Sequence, residues 1–148
     1  MEFGNIEREI HVDASPEIVF EVISSPDHIR QWWRGAETDL APAPNTTATI
    51  GWGSNVKALT VVEAQPPRLF SFRWNYDEEP ATPANSLLVT FELEPSDAGT
   101  VVRLTESGFR EKGWEAAVLE AEYADHVRGW DYVAPSLHAY VAQLVSAP

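Results

Sequence analysis

The sequence predicts an α+β domain in which a concave antiparallel sheet of about six strands receives one long C-terminal helix. Three observations predict it. Residues 115–145 carry a helical apolar stripe, residues 46–106 alternate as strands do, and two short helix starts follow the first strand. A single helix cannot bury such a stripe against itself, so the strands must cover it. We therefore expect one domain over residues 1–148, with a cavity where helix and sheet leave space.

The N-terminal part of the chain predicts one strand and two short helices. Alternating side chains favour a strand over Ile6–Val12. Ser15-Pro16-Glu17 and Ser25-Pro26-Asp27 each supply a serine N-cap, a proline at the first helical position and an acid near the positive helix end. Residues 35–45 contain two prolines and are predicted to form a loop.

The middle of the chain predicts antiparallel strands separated by turns. Residues 68–74 show the clearest alternation, with Phe70, Phe72 and Trp74 on one face. Ser96-Asp97-Ala98-Gly99 predicts a hairpin turn. The predicted strands after the short helices are residues 46–52, 56–65, 68–74, 86–94 and 100–106.

The C-terminal helix is predicted from an apolar spacing that alternates four and three residues. Its stripe consists of Tyr123, Val127, Trp130, Ala134, Leu137, Val141 and Leu144. Pro135 lies inside this helix, where proline costs about 3 kcal/mol and kinks the axis. A bent helix would suit a concave sheet.

Composition excludes several classes of partner. The net charge is −13 and the only lysines are Lys57 and Lys112, so neither nucleic acid nor an anionic membrane surface is an expected partner. The absence of cysteine excludes disulfides and thiolate chemistry. No apolar run approaches the roughly 20 residues of a membrane span, and the N-terminus lacks the pattern of a secretory signal. We therefore expect a cytoplasmic protein.

Five segments in this order resemble one protein family. They are residues 10–20, 29–33, 63–74 and 104–109, and the group Gly129, Trp130, Leu137 and Tyr140. Together they are similar to the activator of heat-shock-protein-90 ATPase homologue family, in the START-like (SRPBCC, polyketide cyclase) superfamily. The resemblance implies a helix-grip fold, in which a curved sheet grips the C-terminal helix around a hydrophobic cavity. Relatives include lipid binders, aromatic cyclases and cochaperone domains, and fold alone does not choose among these roles.

A hydrophobic or aromatic small molecule is the partner that the residues favour. The chain has six tryptophans, and aromatic faces suit a flat apolar ligand. Trp32 and Trp33 are adjacent on a short helix, so we expect one to pack in the core and the other to lie near the cavity mouth. The candidate ligand-binding residues are Trp33, Trp52, Phe70, Phe72, Trp74, Val89, Phe91, Glu106, His126 and Trp130.

Two polar residues, Glu106 and His126, are candidates for catalysis. Strand alternation places Glu106 on the same face as Val102 and Leu104, which points it into the cavity. There it would bind a ligand or act as a general base. The alternative is that Glu106 lies at the end of the strand and is exposed at the rim of the sheet. His126 is not part of the apolar stripe of the C-terminal helix. A solvent-facing position on the side of the helix is therefore favoured over an acid–base role with Glu106.

No known catalytic motif is present, and the histidines show no metal-ligand spacing, so no metal or other cofactor is expected. A binding role is therefore favoured over catalysis. A cyclase- or dehydratase-type enzyme using the same cavity is the first alternative. The resemblance adds a chaperone-associated interaction domain as the second, and contact through a strand edge in a homodimer also stays open.

Overall fold

The computed structural model describes residues 4–33, 35–75 and 79–146. Within these residues the helices are α1 (Pro16–Ser24), α2 (Pro26–Trp32) and α3 (Ala116–Ser146), with one 3₁₀ turn at Arg110–Lys112. The strands are β1 (Ile6–Val12), β2 (Glu37–Thr38), β3 (Thr47–Trp52), β4 (Asn55–Gln65), β5 (Leu69–Asn75), β6 (Ser86–Ser96) and β7 (Gly99–Ser107).

In the described part of the chain, seven strands form one antiparallel sheet in the order β1-β7-β6-β5-β4-β3-β2. The register places Glu106 of β7 opposite Val89 of β6 and Ile6 of β1. Trp74 of β5 lies opposite Leu87 of β6, so β6 separates the strands that carry Trp74 and Glu106. Because side chains alternate between faces, Glu106 shares the inner face of β7 with Val102 and Leu104, as the sequence predicts.

The fold class and the long helix are confirmed, while the described residues form seven strands rather than about six. The added strand is β2, which lies in the segment that the sequence predicts to be a loop. β2 pairs Glu37 with Gly51 and Thr38 with Ile50. Two residues are too few to show alternation, so the sequence carries no strand signal there.

The two short helices position the adjacent tryptophans Trp32 and Trp33. Ser15 caps α1 by accepting a hydrogen bond from the Ile18 N–H at 3.4 Å, as predicted. Ser25 is the N-cap residue of α2, but its side chain makes no capping hydrogen bond there. Trp32 is fully buried and its indole N–H donates to the Val22 carbonyl at 2.9 Å. Trp33 ends the helix and enters the pocket described below.

Helix α3 covers the concave face of the sheet and continues through Pro135, which is on its exposed side. Its buried residues are Trp130, Val133, Leu137 and Val141. The prediction is therefore correct for the central residues Trp130, Leu137 and Val141, and the buried face is slightly rotated relative to the predicted stripe. Val133 replaces Ala134 as the buried position, and Leu144 is 37% exposed. Among the described residues, no helix has the length and apolar content to cross a membrane.

Candidate functional site: a tryptophan-lined pocket beside a buried carboxylate

Glu106 is a fully buried carboxylate on the inner face of the sheet. Its Oε2 accepts a hydrogen bond from the Trp74 indole N–H at 2.8 Å. Its Oε1 accepts one from the Trp130 indole N–H at 2.7 Å and faces His126 Nδ1 at 2.8 Å. Burying a carboxyl group is costly unless hydrogen bonds replace those it makes with water, and these three contacts do so. The prediction that Glu106 points inward is correct, and the strand-end alternative is wrong.

His126 lies against Glu106 and not in solvent. Its side chain is 10% exposed, so the favoured prediction of a solvent-facing histidine is wrong. The physical reason is helical spacing, because His126 is one turn before Trp130 and both side chains therefore reach the same carboxylate oxygen. The ring also packs edge-on against Trp74 and Phe109. Its second nitrogen, Nε2, lies 3.8 Å from Oε2 of Glu122.

Trp33 lies at the centre of a cluster of indoles. Its ring centroid is 5.3 Å from that of Trp32, 5.5 Å from that of Trp52 and 5.5 Å from that of Trp74. Trp130 stacks on Trp74 with centroids 6.0 Å apart and lies 5.3 Å from Trp33. Aromatic pairs at these distances contribute about 0.5–1.5 kcal/mol each beyond burial, so the cluster is a firm wall.

This wall borders a pocket of about 670 Å³ between α3, the end of α2 and strands β3 to β5. Its lining residues are Trp33, Trp52, Asn55, Lys57, Trp74, Asp125, His126, Arg128, Gly129, Trp130, Tyr132 and Val133. The inner wall is aromatic, whereas the outer part carries charged and polar side chains. Asp125 and Arg128 are each 71% exposed and lie 3.5 Å apart, so their pairing is weak.

Gly129 leaves space in this pocket. It lies inside helix α3, where glycine is a poor helix former, and a Cβ atom built on it meets nothing within 4 Å. The absent side chain therefore leaves the helix surface open beside Trp130.

The structure divides the predicted ligand-binding residues into three groups. Trp33, Trp52, Trp74, His126 and Trp130 line the pocket, while Glu106 lies behind this wall and touches it through its hydrogen bonds. The other four predicted residues, Phe70, Phe72, Val89 and Phe91, are buried in the core and do not line this pocket. They share the inner face with Trp74 and Glu106, but the core fills the space around them. Their contact with a ligand stays a prediction.

Sequence reasoning did not select the polar lining of the pocket. Asn55 and Lys57 begin β4, and the sequence gives them only the features of a turn and a strand. Asp125, Arg128 and Tyr132 lie on α3, where their spacing relative to Gly129 places them on adjoining helical positions. The sequence shows this helical spacing, but no residue pattern in it predicts that α3 and the start of β4 line the same pocket.

In the described residues, no cluster of three or more histidine, aspartate or glutamate side chains has the geometry of a metal site. The groups that the pocket offers a ligand are its aromatic wall, its charged rim and His126, which contacts Glu106.

Several solved structures share this fold over nearly the whole chain. Protein MLL2253 from Mesorhizobium loti is 21% identical, with 94% of this chain and 97% of that chain covered at a TM-score of 0.78. The Aha1 dimer from Colwellia psychrerythraea is 18% identical, with 90% and 96% covered at a TM-score of 0.66.

A third similar structure is DynU16, a protein in the dynemicin biosynthetic locus. It is 17% identical, with a TM-score of 0.73, and the match covers 97% of this chain but 48% of DynU16. Comparison with curated proteins gives no significant match.

The family comparison agrees with the resemblance seen in the sequence. The family model described as "Activator of Hsp90 ATPase homolog 1-like protein" matches residues 13–142, which include every residue that lines the pocket. On this match, the chain belongs to the Activator of Hsp90 ATPase homolog 1-like family.

Proposed function

We propose that this protein binds a flat, largely apolar small molecule in the tryptophan-lined pocket. The observation that carries the proposal is that Trp33, Trp52, Trp74 and Trp130 all line one pocket of about 670 Å³. Ligand pockets typically measure about 300–1,000 Å³ and combine apolar walls with a few polar groups. The family's sheet-and-helix fold and the position of DynU16 in a biosynthetic locus support a small molecule as the occupant.

The rigidity of the wall supports a binding role over simple packing. The indole N–H groups of Trp74 and Trp130 are fixed on Glu106, and that of Trp52 donates to the Trp33 carbonyl at 3.1 Å. Because these indoles are already held in place in the folded protein, a flat ligand that stacks on them causes little further loss of side-chain conformational entropy. Trp33 and Trp74 keep 8% and 6% of their surface exposed, so their faces reach the pocket.

Gly129 provides a direct test of the proposal. The variant Gly129→Leu places a branched side chain in the pocket without a clash at Cβ, because nothing lies within 4 Å of that position. The matched control is Ala139→Leu, which adds the same side chain at an exposed position of α3 outside the pocket lining.

Calorimetric titration with a set of flat aromatic compounds should identify ligands of the wild-type protein. We expect Gly129→Leu to weaken their binding at least about tenfold, which corresponds to about 1.4 kcal/mol, and Ala139→Leu to leave it unchanged. Equal affinities in the two variants would place binding elsewhere and refute the proposal.

A further inference from the structure

We infer that Ser136, which lies outside the pocket lining, is a positioning residue of the tryptophan wall. Its hydroxyl group on α3 holds the backbone at the end of α2, and that backbone sets the places of Trp33 and Trp52. This inference rests on the proposed binding function and adds a residue on which ligand affinity depends without contact with the ligand.

The peptide group between Trp32 and Trp33 is held at both of its polar atoms. The Trp33 N–H donates to the Ile29 carbonyl at 2.9 Å, in the pattern of the helix. The Trp32 carbonyl accepts a hydrogen bond from Ser136 Oγ at 2.8 Å. Because a peptide group is planar, holding both atoms fixes the plane from which the Trp33 side chain leaves the backbone.

The Trp32 carbonyl needs a donor from another element because the chain leaves the helix at Trp33. Its regular partner would be the Ala36 N–H four residues later, but that group donates to the Trp33 carbonyl at 2.9 Å. The backbone of Trp33, at φ −116° and ψ 59°, is not helical. Carbonyl groups at a helix end are satisfied by side chains or water, and at Trp32 the side chain comes from α3.

The constraint extends from Trp33 to strand β3. The Trp33 carbonyl also accepts a hydrogen bond from the Trp52 indole N–H at 3.1 Å, and Trp52 is the last residue of β3. The ring centroids of these two tryptophans are 5.5 Å apart, and both residues line the pocket. A shift of the Trp33 backbone therefore moves both the ring of Trp33 and the acceptor that holds Trp52.

The acceptor of Ser136 distinguishes it from an ordinary helical serine. A serine inside a helix commonly donates to the carbonyl four residues earlier, as Ser24 of α1 does to Phe20 at 2.6 Å. Ser136 donates instead to a residue 104 positions away in the chain. The same two helices also meet where His28 Nδ1 lies 2.6 Å from the Tyr140 hydroxyl oxygen, so α2 keeps a contact with α3 when the Ser136 hydroxyl is removed.

Three variants test the inference. Ser136→Ala removes the hydroxyl, Ser136→Thr retains it, and the control Ser24→Ala removes a serine hydroxyl whose hydrogen bond stays within α1. The first measurement uses the ligand-free protein and records the indole N–H signal of Trp52 in ¹⁵N-labelled samples. We expect this signal to move in Ser136→Ala and to stay close to its wild-type position in the other two variants.

The second measurement is a fluorescence titration with 1-aminoanthracene, a flat aromatic probe. We expect Ser136→Ala to weaken its binding about threefold to tenfold, as coupling through shared contacts allows, and the other two variants to bind as the wild type does. In a Trp33→Phe background, Ser136→Ala should have a smaller effect on affinity, because Ser136 acts through that residue. A loss of stability alone would not produce this difference between the two alanine variants.

An unmoved Trp52 signal in Ser136→Ala would overturn the inference. Equal affinities of Ser136→Ala and Ser136→Thr, or full additivity with Trp33→Phe, would do the same while probe binding by the wild type still supported the proposed function. A moved Trp52 signal in a protein that does not bind the probe would support the positioning by Ser136 and count against the proposed function. Where Ser136→Ala does not fold, Ser136→Val takes its place, because valine matches threonine in shape and lacks its hydroxyl.

Discussion

His126 Nδ1 lies 2.8 Å from Glu106 Oε1, which joins the middle of helix α3 to the inner face of strand β7. Trp130, one turn later on the same helix, donates to the same oxygen at 2.7 Å. The carboxylate thus holds helix and sheet together at the point where the pocket begins. It also couples the stability of the fold to the arrangement of the pocket wall.

Removing the buried carboxylate should strongly destabilise the protein. In Glu106→Leu, the indole donors of Trp74 and Trp130 lose their acceptor and His126 loses its hydrogen-bond partner, and loss of one member of such a buried network costs about 3–5 kcal/mol. Glu106→Gln retains one acceptor oxygen, so its cost should be smaller, about 1–3 kcal/mol. Urea denaturation measures both values. The exposed Glu92→Gln on β6 is the control and should change stability by no more than about 0.5 kcal/mol.

Replacing Gly129 with alanine should stabilise the protein. Glycine inside a helix costs about 1 kcal/mol relative to alanine, and the added Cβ meets nothing within 4 Å. The matched variant Gly113→Ala also meets no neighbour within 4 Å, but Gly113 has a φ of +69°, where a side chain costs roughly 1–2 kcal/mol. Thermal or urea unfolding should therefore give changes of opposite sign. A destabilised Gly129→Ala would contradict the open space assigned to that position.

The adjacent tryptophans Trp32 and Trp33 should have separable roles. Trp32→Phe removes the donor to the Val22 carbonyl from a fully buried site, so it should lower the free energy of unfolding by about 1–3 kcal/mol and leave ligand affinity nearly unchanged. Trp33→Phe should reduce ligand affinity with a smaller loss of stability. Urea denaturation and calorimetric titration of both variants check this. Loss of affinity in Trp32→Phe alone would contradict the assignment.

Tyr140 should make the protein sensitive to alkaline pH. Burial raises the pKa of the Tyr140 phenol above its ordinary value of 10.0, and its hydroxyl oxygen lies 2.6 Å from Nδ1 of His28. A raised pKa in the folded state contributes stability that is present below about pH 10 and is lost as the pH rises through the folded-state pKa. The wild type should therefore lose stability relative to Tyr140→Phe above pH 10, measured by urea denaturation at several pH values. Parallel profiles for the two proteins would refute this.

The overall fold was predictable because its signals are periodic and local. The alternation of Phe70, Phe72 and Trp74 and the helical spacing around Trp130 each reflect one element packing against the core. β2 was not predictable because two residues show no period. The turn between β6 and β7 was predictable from Ser96-Asp97-Ala98-Gly99, where local turn residues determine the backbone.

The candidate site was predictable only in part because its contacts join distant segments. His126 was assigned to solvent because a stripe of apolar residues alone leaves a histidine out, although its spacing to Trp130 and Val133 is that of the buried face. A polar residue on the buried face of a helix needs a buried hydrogen-bond partner. For His126 that partner is Glu106, which lies on the separate strand β7. Lys57 and Asn55 carry no signal of this kind, because only the register of β4 brings them to the pocket.

The most direct measurement of the central claim is the response of the indole N–H signals of ¹⁵N-labelled protein to a flat aromatic ligand. The chain has six tryptophans, whose signals can be assigned by single Trp→Phe substitutions. Binding in the pocket predicts saturable shifts for Trp33, Trp52, Trp74 and Trp130, little change for Trp114, and loss of the shifts in Gly129→Leu. Saturable binding that leaves these four signals in place, or shifts that persist unchanged in Gly129→Leu, would contradict the account.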